Sequence, residues 1–421
     1  MKINLSGTTD MAVAWKQSVT NIHGLLANNQ KDIGILITGA SPIQRETAQV
    51  FTGIIGNTNM SASLIEAYSV DAWRFSGFKT NRMLDELKAI AYENKKLIPV
   101  KDLIAKSDKL YKTYNVNYLR AEVQQANNAA LASERWHSFS DDSKYLLQYK
   151  TTNDERVRDD HAILNDITLP KSDPFWSEFY PPNGWGCRCL AVEVLSSQYK
   201  KTESVDTKYY KDKIFKSKNE KPFAFNPGIE NRLFPPTASY YNVGNYKIID
   251  DISKQLLLEN TAKSILIKEY NNGSNTFVNQ RVDKTANDYK DLTVISDLFA
   301  KEKSNTRVEI LPKTHHKSLY YDYFFKGAYP LKNPDLKIND LFYEYKSYTS
   351  DWNKNKISHM LKKGLLQSDN IIIDLRNGFA TDDHIKRSIH YRIKDGIRIN
   401  EVWIYDKDGI RLLYKKAKPK Q

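Results

Sequence analysis

Residues 151–192 read TTNDERVRDDHAILNDITLPKSDPFWSEFYPPNGWGCRCLAV, and the rest of the chain is organised around them. Residues 156–161, from Arg156 to His161, predict a charged helical turn that opens a loop rich in proline and aromatic residues. PPNGWG, residues 181–186, predicts a tight turn, because Asn-Gly and the second glycine accept positive φ. The turn delivers Cys187, Arg188 and Cys189 into a following strand, with both thiols on one face by the period of two. These are the only cysteines among 421 residues. A disulfide across one intervening residue would be strained, so free thiols or metal ligands in a reducing compartment are expected. Cys187, Cys189 and His161, with Asp159 or Asp160 as a fourth ligand, are donor types that suit Zn²⁺. The alternative is two buried thiols packed on Trp185, with His161 bonded to loop backbone, since free cysteine behaves as a small hydrophobe.

Upstream, residues 61–136 carry a helical pattern: Leu84, Leu87, Ile90 and Ala91 repeat at three and four, as do Val116, Leu119, Val123 and Ala126. Pro99 is expected to end one helix and Asn115 to cap the next. Helix-like pieces in the first fifty residues are interrupted by Gly34, Gly39 and Pro42. Hydrophobic residues make up 40% of the chain, enough to build cores, and no apolar run approaches the ~18 residues of a membrane span. The start lacks the apolar stretch of a secretory signal, so a cytoplasmic chain is expected. A net charge of +13 makes a polyanion the default partner, nucleic acid first. Part of that excess is solvated lysine, as at Lys95, Lys96, Lys415, Lys416, Lys418 and Lys420.

Downstream, a Lys/Ser/Asp-rich stretch and four prolines make residues 196–245 a boundary region. Beyond it, helices are expected over 288–301, 357–366 and 382–392, and strands over 307–311, 341–345, 371–373 and 401–405. This is a compact domain with an antiparallel sheet. Asp335 follows a proline, and Glu344 and Lys346 lie two apart on a strand, so they project from one face about 6–7 Å apart. Two carboxylates and a lysine can hold a divalent metal against a scissile phosphate. Oppositely charged neighbours are also common on solvated strands, which is the other reading of that spacing.

Two resemblances add to these readings. D-x-R-V-R-x-x-H (from Asp154), a proline and aromatic loop and P-P-N-G-W-G-C-R-C resemble the phage Mu F-like minor head proteins. The blocks Trp73–Thr80 and Tyr118–Glu122 are similar to the helical region of the same family. One departure is Asp166, where that family more often has glycine. The likeness covers residues 60–195 and implies a minor capsid component of a phage or prophage virion, with portal and capsid proteins as partners. It implies no catalysis.

Asn333-Pro334-Asp335, the strand ending Glu344-x-Lys346-Ser347, and Gln367–Asn370 leading into Ile371–Arg376 resemble a second family. Glu401–Ile404 and Lys407–Gly409 belong to the same pattern. This is the transfer-RNA nuclease domain of contact-dependent growth-inhibition toxins, of the barnase, EndoU, colicin and RelE-like group. The likeness implies a metal-free endoribonuclease delivered to the host bacterial cytoplasm, with RNA as substrate and an immunity protein as partner. In such enzymes Glu344 would act as base, Lys346 and Arg376 would bind phosphate, and His315, His316, His384 or His390 would act as acid. Asp374 would orient one of these groups or mark the strand end. A metal-dependent DNA nuclease on Asp335, Glu344 and Lys346 is the alternative, with phage DNA as its target; a purely structural head protein with an inactive nuclease fold is another. The fold class expected is α+β. It comprises an N-terminal extension (1–60), a mainly helical head-protein domain with a small β/loop part (61–195), the boundary region, and a nuclease-like α+β domain (246–421).

Overall fold

A computed structural model describes residues 8–351 and 353–417. The first seven residues of the start examined for a signal, and Lys418 and Lys420 of the tail, lie outside the described residues. The chain divides into two compact units, one ending at Leu257 and the other beginning at Leu258. Among the described residues no helix is long and apolar enough to cross a membrane.

The first unit is built on the helices Thr8–Ala27, Ile33–Gly39, Ser41–Ile55, Ala62–Ile90 and Leu119–Ser138. Asp32 and Ser61 cap two of them by accepting from Ile35 N and Leu64 N. Pro42 sits in the first turn of its helix, where no N–H is needed, so it does not interrupt it. Ile43, Phe51, Phe75, Phe78, Ala126 and Phe234 form the centre of the helical core. Gly77 is required there, because a Cβ would stand 2.1 Å from Ser253 Oγ. Residues 232–234 are fastened to this core by buried Asp71, which accepts from Arg232 Nε and the backbone N–H groups of Leu233 and Phe234.

Two helix boundaries differ from expectation. Pro99 does not end a helix: Ala62–Ile90 stops before a small hairpin, β1 (Tyr92–Glu93) and β2 (Lys96–Leu97), and Pro99 caps Val100–Lys106 instead. The proline ring presets the backbone for helix entry, while Asn94 and Lys95, at φ 49° and 64°, turn the hairpin. Asn115 does not cap a helix either. It lies inside a π-helical turn, Thr113–Tyr118, that runs into Leu119–Ser138, and its buried amide points at Met83 Sδ.

A three-stranded antiparallel sheet, order β4-β3-β5, completes this unit: β3 is Tyr145–Lys150, β4 Thr168–Leu169 and β5 Leu190–Leu195. Leu147, Tyr149, Phe175, Trp176, Phe179 and Phe223 pack into a second core around it. Asp166 takes φ 67°, the left-handed conformation that suits the glycine of the resembling family. The turn is therefore kept despite the substitution.

The second unit is an eight-stranded sheet whose spatial order follows the chain: β6 (Ser264–Glu269), β7 (Asn275–Asn279), β8 (Arg307–Ile310), β9 (Leu336–Ile338), β10 (Leu341–Ser347), β11 (Asn370–Asp374), β12 (Glu401–Asp406) and β13 (Gly409–Lys415). The α+β class holds, and the sheet is mixed. The pairs β7/β8, β10/β11 and β11/β12 are parallel and the other four antiparallel. Each parallel pair is bridged by a helix, as parallel strands require: Tyr289–Glu302, Lys354–Leu365 and Asp382–Lys394. The first helix covers one face, with Ile295 and Phe299 against Tyr343, Tyr345 and Trp403. The other two cover the opposite face, with Ile357, Leu361, Ile385 and Ile389 against Ile371, Ile373, Val402 and Ile404.

Candidate active site and metal-ligand cluster

β10 alternates by necessity. Tyr343 and Tyr345 enter the core on one face, which turns Glu344 and Lys346 to the other. Glu344 is 1% exposed and accepts from Lys346 Nζ through Oε1, which also accepts from Gln367 Nε2 at 2.6 Å. Its second oxygen, Oε2, is buried with no hydrogen-bond partner. Asp335, also buried, accepts from Tyr345 N at 2.8 Å and pairs with Lys313. Burial, and then the charge of Asp335, push the Glu344 carboxyl up to about 8, against the pull of Lys346 and Lys313. The helix Lys354–Leu365 approaches closely here, since a Cβ on Gly364 would lie 2.4 Å from Ile371 Cδ1 and 3.4 Å from Lys346 Cγ.

Asp335, Glu344 and Lys346 thus converge as their spacing suggests, and two groups join them that the sequence did not single out. Lys313 comes from the segment after β8 and Gln367 from the turn after a helix. Nothing local marks either, because both arrive through tertiary contact.

Other expected members lie elsewhere. Asp374 accepts from Tyr345 OH at 2.7 Å and from Arg376, and Arg376 also reaches Asp291 of the helix Tyr289–Glu302 at 2.5 Å. This network sits on the face opposite Glu344 and Lys346, so Arg376 does not share a phosphate site with Lys346. The strand's alternation separates them. Asp374 is held below the ordinary carboxylate range by Arg376 and Tyr345, which outweigh the effect of burial. His315 and His316 are exposed, with their rings 4.3 Å apart, and His359 and His390 are exposed as well. No printed hydrogen bond joins any of these to Glu344.

In the first unit, His161, Cys187 and Cys189 form the one group of metal-ligand side chains found among the described residues, all donor atoms within 4.8 Å of one another. His161 turns Nδ1 to both sulfurs, at 3.6 Å from Cys187 and 3.8 Å from Cys189. Arg158 Nη1 stands 3.2 Å from Nε2. A guanidinium only donates, which leaves Nδ1 to carry the proton toward the thiols when no cation is bound. The hydrogen bond with Cys187, and then His161, brings the Cys189 thiol down to about 5, while Cys187 is raised. Asp159 and Asp160 stand outside the trio, so the chain supplies three ligands rather than four. The cysteines precede β5 instead of lying in it. Cys187 N closes the PPNGWG turn on Gly184 O at 3.0 Å, with Gly186 at φ 71°.

These two places coincide with two family matches. Residues 78–192 match the family described as Phage Mu protein F like protein. Residues 332–411 match the contact-dependent growth inhibition CdiA C-terminal domain. The Mu-like prophage FluMu F protein of Haemophilus influenzae is 44% identical over 55 residues, 13% of this chain and 13% of that protein. The putative capsid assembly protein F of Escherichia phage Mu is 40% identical over 62 residues, 15% of this chain and 14% of that protein. The chain therefore spans only about a seventh of the curated relatives it matches. No solved structure matches. The chain carries a phage Mu F-like domain followed by a CdiA-type C-terminal toxin domain.

Proposed function

We propose that the chain is a phage or prophage minor head protein whose C-terminal domain is a nuclease effector. The N-terminal unit assembles with portal and capsid proteins in the virion. The C-terminal unit acts on nucleic acid in the host cytoplasm, with RNA, transfer RNA above all, as the leading substrate and an immunity protein as its counterpart.

The observation that carries the nuclease reading is the convergence of Asp335, Glu344, Lys346 and Lys313 around a buried carboxylate oxygen without a partner. Two carboxylates and an orphan oxygen fit a divalent cation of the Mg²⁺ type, which is held by one or two carboxylates together with substrate phosphate. Asp335 and Glu344 would hold it, and when bound it would activate water and offset charge on the phosphate. Lys346 and Lys313 place positive charge where a phosphate must sit, and Gln367 orients Glu344. A metal-free reading, with Glu344 as base, is favoured by its raised carboxyl, which suits a base near neutrality. It lacks an acid at the site.

The deciding experiment incubates the full chain with RNA and with DNA, with and without EDTA. Cleavage abolished by EDTA and restored by Mg²⁺ or Mn²⁺ supports the cation site. Cleavage indifferent to EDTA selects the metal-free route, and no cleavage of either polymer removes the enzyme reading.

His161, Cys187 and Cys189 support Zn²⁺ binding as an architectural site of the head-protein unit, completed by a fourth ligand from outside the trio. Elemental analysis of the purified chain is expected to show zinc that Cys187→Ser removes.

A further inference from the structure

A cavity of about 140 Å³ adjoins the carboxylate site in the second unit, at the ends of β10, β11 and β12 where Phe342, Asn370 and Asn400 stand. Gln367 belongs to both places: it lines the cavity and donates to Glu344. Two aromatic rings, Tyr329 and Phe342, form part of the wall. The polar wall is dominated by acceptors. Asn370 is 3% exposed, and its Nδ2 is committed to Phe342 O at 2.8 Å. That bond orients the amide and leaves Oδ1 as the free end, buried and without a partner. Beside it, Asp369 accepts from Tyr329 OH and from Asn400 Nδ2, and a carboxylate has room for a further donor. Buried acceptors left unsatisfied are costly, so a ligand with a matching donor is selected over one without.

We propose that this cavity receives one unstacked nucleobase of the substrate, next to the phosphate that is cut, and favours bases with an exocyclic amino group. Adenine, cytosine and guanine can donate N–H to Asn370 Oδ1 through that group, while uracil and thymine carry a carbonyl oxygen in its place. The aromatic rings supply a stacking surface that any base can use, and the acceptors supply the discrimination. A base paired inside a duplex cannot enter such a cavity, so the substrate is a single strand, loop or end. This proposal rests on the nuclease reading of the adjoining site and sharpens it toward base preference.

The test uses the full chain and short single-stranded oligonucleotides, in an RNA arm and a DNA arm, that differ at one position between A, C, G and U or T. Cut positions are read with the wild type. Binding is read by fluorescence anisotropy with Lys346→Ala, which leaves the cavity intact. The expected result is a preference of about tenfold for amino-bearing bases in both readouts. Asn370→Ala is expected to erase the preference while the remaining cleavage persists. Tyr329→Ala, at a half-buried loop position outside the sheet, is expected to weaken binding of all bases alike, and thermal melting checks that each variant is folded. Equal binding and cutting of all bases by the wild type overturns the proposal, as does an unchanged preference in folded Asn370→Ala. Selective binding without any cleavage keeps the cavity and removes the nuclease reading, so the two fail separately.

Discussion

Gln367 donates its side-chain N–H to Oε1 of Glu344 at 2.6 Å across 23 residues of chain, from the turn after a helix to the middle of a strand. The bond fixes which oxygen of Glu344 is committed and which faces the site unpaired. Gln367→Ala is expected to lower nucleic-acid cleavage by about tenfold or more, as the loss of groups that orient a catalytic ligand does. Steady-state cleavage, with melting as a control, measures this.

Removing the carboxylate itself has a different signature. Glu344→Gln is expected to abolish cleavage and to leave the melting temperature unchanged or higher, because a buried carboxyl facing Asp335 is an electrostatic burden. Lys346→Ala is also expected to abolish cleavage. Full cleavage by both variants would remove the site.

Arg376 belongs to the opposite face. Arg376→Ala leaves Asp374, 1% exposed in its side chain, without its cation. The expected cost is about 1–3 kcal/mol of stability. Cleavage measured well below the melting temperature should be retained. A selective loss of activity in a folded variant would return Arg376 to the catalytic group.

Asp166 adopts a backbone conformation that costs side chains with a Cβ roughly 1 kcal/mol. Asp166→Ala is therefore expected to destabilise the first unit. Asp166→Gly should be neutral or stabilising, since its exposed ion pair with Lys150 contributes little. Denaturant midpoints of the two variants give the ordering.

Glu401 provides a pH-dependent term. Burial raises its carboxyl, but hydrogen bonds from Lys415, Trp403 and Tyr343 outweigh that and hold it at about 2. Since the folded value lies below the ordinary 4.5, its stabilisation is complete above that pH and is lost as pH falls toward 2. Melting curves from pH 6 to pH 2 should fall steeply for the wild type. For Glu401→Gln they should start lower by about 2 kcal/mol and fall less.

Much of the outline follows from local pattern. The helical repeat through Leu84 and Leu87, the strands at Ile371–Ile373 and around Glu401–Tyr405, and the shared face of Glu344 and Lys346 follow from periods of 3.6 and 2, which depend only on neighbours along the chain. The PPNGWG turn likewise brings Cys187 and Cys189 to His161 from the sequence alone. Short polar strands such as β6, β9 and β13 have no such pattern, because their edges are open and their registers are set by partners. Pro99 and Asn115 misled for a related reason: the hairpin at Asn94–Lys95 and the contact with Met83 decided those boundaries. Tertiary structure alone brought Lys313 and Gln367 to the carboxylates and carried Asp374 and Arg376 to the other face. Which groups meet depends on which face of the sheet each strand and loop presents, and that is settled by packing between elements far apart in sequence.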